Sequence, residues 1–450
     1  MSRKIELIKE IVIFILIVSL VCMTVVYMTS FQTDAGSYFS ADMAQAVRER
    51  SYRSGFADLF DGGYVTPYFC GVSVGDTCRG MLARDAASFI HDFSSVWMLF
   101  VSSEAQKERV TQSEYYSAFD GDYIYMRFIC DVPHSVLAAM FDPELIVSDI
   151  GSDAVREMIM ALPEGDLFSS DECTLFIRDS AGKCTSYSTD VGTVVSKKNL
   201  ATYTDNVGGF YYDFAYERGI AMKSDGIAAT VVIPNTTVSL RSVVSSDAFA
   251  FGDSYTAEVA SVLGINSEKT TPHIADDGTF IYYEEGRSLM VAPDGHTMFD
   301  AYSPSGGISL TDLIGFSSSS GYSIIDGVGA ALVLLDKLPD VPGAQMMLSG
   351  AQSDGRNMVI SFDYAYEGMP VTLGKGHALT VSISESMITR VEYTPVYFVS
   401  SAKAVAPSIL WYVLAEISEG RGLTDVRYAI DPATGGITVV GARQNGGDGR

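Results

Sequence analysis

The chain is poor in positive charge, and that shortage excludes the most. Thirty Lys and Arg stand against 55 Asp and Glu, a formal net charge of −25. Such a surface offers no attraction to nucleic acid, anionic lipid headgroups or anionic wall polymers, so a nucleic-acid function is set aside. The acidity forms no block of like charge, as befits a solvated extracytoplasmic domain. Histidine is scarce as well: His91, His134, His273, His296 and His377 are scattered without ligand spacing. No C-x-x-C or H-x-x-x-H pair occurs, which argues against zinc. Also missing are a G-x-S-x-G elbow, an H-E-x-x-H helix, a P-loop and a G-x-G-x-x-G fingerprint. Ser400-Ser401-Ala402-Lys403 matches S-x-x-K, but without S-D-N or K-T-G partners it is a chance match in a Ser-rich chain. Asp276-Asp277-Gly278 lacks the alternating oxygens and closing Glu of a calcium loop and is expected to be a turn. No catalytic residue, metal or cofactor is assigned, and the chain is expected to be non-enzymatic.

What the sequence does contain is one long apolar run near its start. Ile11 to Met28 follows a head carrying Arg3, Lys4 and Lys9. At about 1.5 Å per residue its length is roughly 27 Å, close to a bilayer's hydrocarbon thickness. The basic residues precede the run while Asp34 and Asp42 follow it, which places the N-terminus in the cytoplasm and the rest outside. A cleaved signal would have a shorter core and an A-x-A-like site, and Thr33-Asp34-Ala35 carries a charge there. Cys22 follows Ser19-Leu20-Val21, which lacks the small residue a lipoprotein signal requires beside its Cys. The expectation is an uncleaved anchor over 11–31 with a cytoplasmic head, 1–10. Ile11, Phe14, Ser19, Cys22, Thr24, Tyr27 and Met28 are its candidate partner-facing residues. Ser19 and Thr24 either bond their own helix backbone or face another helix, where such groups contribute roughly 0.6–2 kcal/mol.

At 47% hydrophobic residues over the whole chain, the part outside the membrane can still bury real cores. Cys70/Cys78 and Cys173/Cys184 are close enough in sequence to form local disulfides in an oxidising compartment, leaving Cys130 odd; the alternative is that all five external cysteines are free. Periodicity predicts a helix over Met81–Trp97, a strand over Asp122–Cys130, a helix over His134–Phe141 and another over Asp153–Leu162. Pro163-Glu164-Gly165-Asp166 then ends a first domain, 36–165. Next come a hairpin (Cys173–Asp179 and Lys183–Thr189), strands at Phe210–Glu217 and Ala228–Ile233, and a helix over Ser254–Leu263 capped by Asp253 or Ser254. A meander at Thr279–Tyr283, Ser288–Val291 and His296–Ala301 completes a middle domain, 170–312. After the soft segment Gly315–Gly321 the order recurs over 322–444: a helix (Ile324–Leu335), then strands at Met358–Tyr366, Ala378–Ile383 and Ile388–Tyr393. Pro370 is expected on an edge, and a helix over Ser408–Ile417 leads into a hairpin at Val426–Ile430 and Ile437–Val440. Asn235-Thr236-Thr237 fits the glycosylation pattern and is given little weight. Phe210-Tyr211-Tyr212 and Phe362–Tyr366 either line a glycan or peptide groove or are buried in the core. The fold class is therefore α+β: one transmembrane helix, an N-terminal α+β domain and two related helix-plus-antiparallel-meander domains.

This layout resembles the YycH/YycI-type regulators of Gram-positive bacteria, closer to YycH by length. The local likeness runs from Ala257 to Tyr302, where a helix leads to Asp277-Gly278-Thr279-Phe280-Ile281-Tyr282-Tyr283, Ser288-Leu289-Met290-Val291 and a turn at Asp294-Gly295. It continues in Val359–Arg390, where Phe362-Asp363-Tyr364 precedes Gly368-Met369-Pro370-Val371 and His377–Ile383. The resemblance implies a bitopic, non-enzymatic accessory of the essential two-component system governing cell-wall metabolism. Its implied partners are the sensor histidine kinase and a sister bitopic regulator, contacted through the transmembrane helix and the external domains. A different class of function, an anchored binding module for a peptide or glycan, is the alternative; an envelope enzyme ranks last.

Overall fold

Strand-forming runs dominate the described residues and assemble into two large, mostly antiparallel sheets with few helices, an α+β architecture. The computed structural model describes residues 63–75, 77–82, 106–141, 154–162, 172–190, 210–214, 232–234, 240–245, 251–267, 269–315, 322–339, 345–366, 369–373, 376–405, 423–430 and 437–443, with 89, 90, 97 and 100. The expected anchor, with Ile11, Phe14, Ser19, Cys22, Thr24, Tyr27 and Met28, lies outside them, as do the helix expected over Ser408–Ile417 and Asn235-Thr236-Thr237. Among the described residues no helix is long and apolar enough to cross a membrane. All of them belong to one compact unit, Ser54–Arg450.

The first sheet is built from β1 (Phe69–Val74), β2 (Thr77–Leu82), β3 (Gln106–Val110), β4 (Tyr123–Pro133), β5 (Ala154–Ala161), β6 (Glu172–Arg178), β7 (Cys184–Asp190), β8 (Phe210–Phe214) and β9 (Val232–Pro234), in the spatial order β3-β7-β6-β5-β4-β1-β2-β8-β9. Helix α1 (Gln112–Ser117) follows β3, and α2 (His134–Phe141) follows β4. The 11-residue strand β4 is central because nearly every side chain in it is apolar, and Tyr123 through Cys130 are buried. A core of Phe69, Tyr115, Phe119, Tyr123, Tyr125, Tyr212 and Phe214 fills one face. Phe119 and Phe214 meet edge-on with ring centroids 4.7 Å apart, a geometry that adds about 0.5–1.5 kcal/mol beyond area burial. Gly80 makes room for these rings: a Cβ there would lie 2.6 Å from the Phe69 ring.

Several expectations change here. Ala154–Ala161 is a strand, not the helix expected over Asp153–Leu162. Val155, Met158, Ile159 and Met160 are all buried, so the strand shows no polar face and its apolar positions coincide with helical spacing. Met81 and Leu82 end β2 rather than beginning a helix, whereas Phe89, Ile90, Trp97 and Phe100 are helical and buried. Pro163-Glu164-Gly165-Asp166 falls between two paired strands: Met158 stands opposite Ile177 and Ile159 opposite Phe176. The boundary drawn between 36–165 and 170–312 therefore crosses a continuous sheet. The hairpin predicted from Cys173 to Thr189 is present as β6–β7, with Gly182 at φ +81° in its turn.

After β10 (Leu240–Ser245) comes α3 (Asp253–Val262), followed by β11 (His273–Ile274), β12 (Phe280–Glu284), β13 (Arg287–Val291), β14 (Thr297–Ala301) and β15 (Ile308–Ser309). Helices α4 (Leu310–Ile314) and α5 (Ile324–Lys337) precede β16 (Gln345–Ser353), β17 (Asn357–Tyr366), β18 (Met369–Thr372), β19 (Leu379–Ser384), β20 (Met387–Tyr393), β21 (Phe398–Val405), β22 (Leu423–Ile430) and β23 (Ile437–Arg443). The second sheet runs β11-β12-β13-β14-β20-β19-β17-β18-β22-β23, with β15 on β20 and β16 on β17; β10 and β21 pair separately. The meander turns at Gly286 and Gly295 adopt φ +81° and +84°, as their Glu-Gly and Asp-Gly pairs demand. The two helix-plus-meander units expected at 170–312 and 322–444 join in this one sheet, because β14 pairs with β20.

Two local readings are corrected. Gly252, without a side-chain bond, caps α3, and Asp253 is its first helical residue, where its charge suits the helix dipole. Pro370 is not on an edge, since β18 lies between β17 and β22. The parallel register with β22 begins only at Val371, so the missing Pro370 N–H falls before that pairing starts. Helix α5 lies close over β17 and β19 because Gly327 is bare: a Cβ there would be 2.7 Å from Met358 Sδ and 3.4 Å from Ile383 Cδ1. The two sheets also touch. Cys130 Sγ donates to Leu348 O across 3.4 Å, and Met347 and Ala365 complete the aromatic core of the first sheet.

Candidate interaction surface

Alternation along the meander separates its side chains into two sets. Tyr282, Leu289, Val291 and Phe299 are buried. The opposite face places Ile281 across from Met290, Met290 across from Met298, and Tyr283 across from Ser288. On this outer face Tyr283 is 63% exposed, Tyr302 67% and Met290 39%. Tyr302 Oη donates to Ser288 Oγ at 2.6 Å, which fixes the Tyr302 ring beside β13. Polar groups bound the strip. Arg390 pairs with Asp300 at 3.7 Å and with Glu392 on this face, while at the β12–β13 turn on the other face Arg287 Nη2 pairs with Glu284 Oε2 at 2.7 Å. Although partial burial opposes its ionisation, hydrogen bonds from Asn266, Arg287 and Thr270 hold Glu284 below its ordinary pKa. An apolar strip of Tyr and Met inside a polar rim has the composition of a protein-contact surface. The neighbouring edge is blunted by the two-residue strand β11.

A second constellation is buried in the first sheet. Arg127, Glu157 and Arg178 are 1%, 2% and 1% exposed. Glu157 Oε1 pairs with Arg127 Nη1 at 3.0 Å, and Oε2 with Arg178 Nη1 at 3.4 Å. Tyr115 Oη donates to the same Oε2 at 3.1 Å, and the Arg178 guanidinium lies 5.6 Å from the Tyr115 and Tyr116 ring centroids. Burial, then the Glu157 charge, pushes the Tyr115 hydroxyl well up, so it stays a donor. Sequence reasoning passed over this trio. Its signal is charge set within three otherwise largely apolar strands, Arg127 in β4, Glu157 in β5 and Arg178 in β6.

The structure also places the residues singled out by sequence. Cys70, Cys78, Cys130 and Cys184 are free thiols. Cys70 stands opposite Met81 while Cys78 stands opposite Ser73, three ladder positions apart, or about 10 Å along the strand. Cys173 and Cys184 face Thr189 and Arg178, five positions apart, or about 17 Å. Both separations exceed the roughly 7 Å between Cα atoms that a disulfide spans, so the register corrects both expected pairings. Phe362, Tyr364, Tyr366, Tyr212 and Phe214 are core residues, not groove lining. Tyr211 is exposed but capped by Arg79, which lies 3.5 Å above its ring. The segment from Ser400 to Lys403 sits within β21, paired to β10.

Asp277 Oδ1 accepts from Thr279 N at 3.0 Å in the expected turn. His296 Nδ1 meets Thr394 Oγ1 at 3.0 Å, His273 is exposed on β11, and His134 packs near Tyr187; His91 lies outside the described residues. His377 Nδ1 meets both Asp363 Oδ1 at 2.8 Å and Ser349 Oγ at 3.1 Å. A relay of the Ser-His-Asp type needs the two partners on different ring nitrogens, and here both use one. Among the described residues no group of three or more His, Cys, Asp and Glu side chains could hold a metal ion.

No protein-family model matches the chain, and no curated protein gives a significant sequence match. Among solved structures the fold is similar to the crystal structure of YycH from Bacillus subtilis, with a TM-score of 0.51 at 8% identity. The likeness covers 84% of this chain and 96% of that chain. The chain has a YycH-like fold.

Proposed function

We propose that this chain is a non-enzymatic, membrane-anchored accessory regulator of a sensor histidine kinase that controls cell-wall homeostasis. The observation that carries the reading is the YycH-like fold, which extends over 84% of the chain. It supports the regulatory class implied by the resemblance of the Ala257–Tyr302 and Val359–Arg390 stretches. In this reading the run Ile11–Met28 spans the cell membrane once, with the N-terminus cytoplasmic and the sheets extracytoplasmic. The helix packs beside the kinase's membrane helices, and the outer meander face around Tyr283, Met290 and Tyr302 meets the kinase ectodomain or a sister regulator. Kinase output shifts because the contacts differ between the two kinase states. Confinement to one bilayer raises the effective concentration, so modest contact energies suffice.

Replacing Ile11–Met28 with an unrelated transmembrane helix tests this. A regulator acting through its helix loses its effect on kinase output, whereas a receptor needing only a tether keeps it. The alternative, an anchored module for a peptide or glycan, rested on aromatic strands whose side chains are largely in the core.

A further inference from the structure

We infer that the outer meander face takes a basic surface with an apolar centre, carried by a different, membrane-held protein; this rests on the contact reading proposed above and specifies the chemistry of the partner. The strand register makes the face continuous. One row runs His273, Ile281, Met290, Met298 and Glu392, and the next runs Tyr283, Ser288, Asp300 and Arg390. Of the large apolar side chains that remain exposed, Tyr283, Met290 and Tyr302 gather here, and Ile274 stands at the edge on β11. Exposed apolar residues scattered singly are ordinary, whereas a set on neighbouring strands is the signature of a contact site.

Carboxylates rim this face. The turns closed by Gly278 N to Ala275 O and by Gly295 N to Ala292 O lie side by side at one end of the meander, since a Cβ on Gly278 would be 3.2 Å from Pro293 Cγ. Asp276, Asp277 and Asp294 are exposed in them, and Glu285 is exposed in the turn at the opposite end. Asp277 and Asp294 are fixed in place because each accepts a backbone N–H of its own turn, from Thr279 and from His296, both at 3.0 Å. Among the described residues of β12, β13, β14 and β20, the one Lys or Arg on this face is Arg390, already paired with Asp300 and Glu392. That imbalance selects the occupant. A second copy of this chain would bring the same carboxylates, and anionic lipid headgroups carry the same sign, so both are repelled. A neutral partner would desolvate the rim without pairing it. Apolar side chains ringed by Arg or Lys match both features: they cover Met290 and the tyrosines, while the cations pair with the rim and lie over exposed tyrosine rings.

The test is photo-crosslinking of the intact chain in its native membrane, with benzoylphenylalanine at position 290 or, separately, 283, followed by sequencing of the crosslinked peptide. The expected product joins this face to a different protein through a segment combining Lys or Arg with apolar residues. Its yield is expected to fall about fivefold or more between about 0.1 M and about 1 M sodium chloride, as the screening length shrinks from about 10 Å to about 3 Å. Asp276→Asn, Asp277→Asn and Asp294→Asn combined keep the turn acceptors, so the urea midpoint is expected to hold while the low-salt yield falls by a similar factor. A crosslink to a second copy, to lipid, or to an acidic or uncharged segment would overturn the proposal, as would a yield indifferent to salt and to the triple variant. Co-purification of a sensor kinase without a crosslink from either position would place the contact elsewhere, sinking this inference while the regulatory reading stands. Absence of any co-purifying membrane protein would remove that reading and this inference with it.

Discussion

Removing Glu157 is the sharpest perturbation of the first sheet. Glu157→Ala takes the carboxylate from between two guanidinium groups buried to 1% exposure and removes an acceptor from three groups at once: Arg127 Nη1, Arg178 Nη1 and Tyr115 Oη. Breaking a buried ion pair by deleting one partner costs about 3–5 kcal/mol, because the remaining charge is left without compensation. An orphaned buried hydroxyl adds about 1–3 kcal/mol where no water reaches it. The expected loss is therefore at least about 3 kcal/mol, a large share of a typical domain's stability. Glu157→Gln, which keeps one acceptor oxygen, should fall between the two. Replacing Arg127, Glu157 and Arg178 together by Met, Leu and Met should recover most of the loss, since a packed apolar trio owes no desolvation. Urea unfolding followed by circular dichroism reads all three, with the midpoint shift multiplied by the slope. A cost below about 1 kcal/mol for Glu157→Ala would refute the reasoning, as would a triple variant less stable than the single one.

Other outcomes follow from the same geometry. Tyr283→Asp or Tyr302→Asp on the outer meander face should change stability by no more than about 0.5 kcal/mol, yet reduce recovery of any membrane partner in pull-downs. Gly80→Ala should cost about 1–3 kcal/mol in urea titrations, because its Cβ would press on the Phe69 and Tyr212 rings. In native protein, maleimide should label half-buried Cys78 and spare Cys70, whose thiol burial pushes far up; mass spectrometry distinguishes the two sites. Hydrogen bonds from Asn357 and the Arg356 N–H hold the Asp354 carboxyl down at about 2. Its folded pKa is depressed, so its contribution is present above the unfolded value near 3.9 and lost as pH falls towards 2. Asn357→Ala should move that titration upward, as read by carboxyl NMR shifts.

Much of the C-terminal half was legible in the sequence because its strands are half-buried. The alternation in Phe280–Glu284 and Arg287–Val291, with Glu-Gly and Asp-Gly turns between, specifies the meander almost residue by residue. Helix α5 was equally clear from its apolar stripe. The misreadings cluster where burial is two-sided. Ala154–Ala161 hides its period because both faces are covered, and Arg, Glu, Met and Ala are good helix formers that the sheet overrides. Domain boundaries failed for a related reason: a Pro-Glu-Gly-Asp sequence reads alike whether it lies at the end of a domain or between two strands of one sheet. The Arg127–Glu157–Arg178 trio depends on register between strands far apart in sequence, which no local pattern reveals. The same holds for the disulfides, since sequence proximity of Cys70 and Cys78 says nothing of their offset across the ladder.

The mode of action proposed for this protein is contact with a sensor histidine kinase in the membrane. Crosslinking and co-purification of the intact chain from its native membrane tests it most directly. Recovery of a sensor histidine kinase is expected, lost when Ile11–Met28 is exchanged for an unrelated helix and weakened by Tyr302→Asp. Recovery of no membrane protein, or of wall fragments alone, would contradict it.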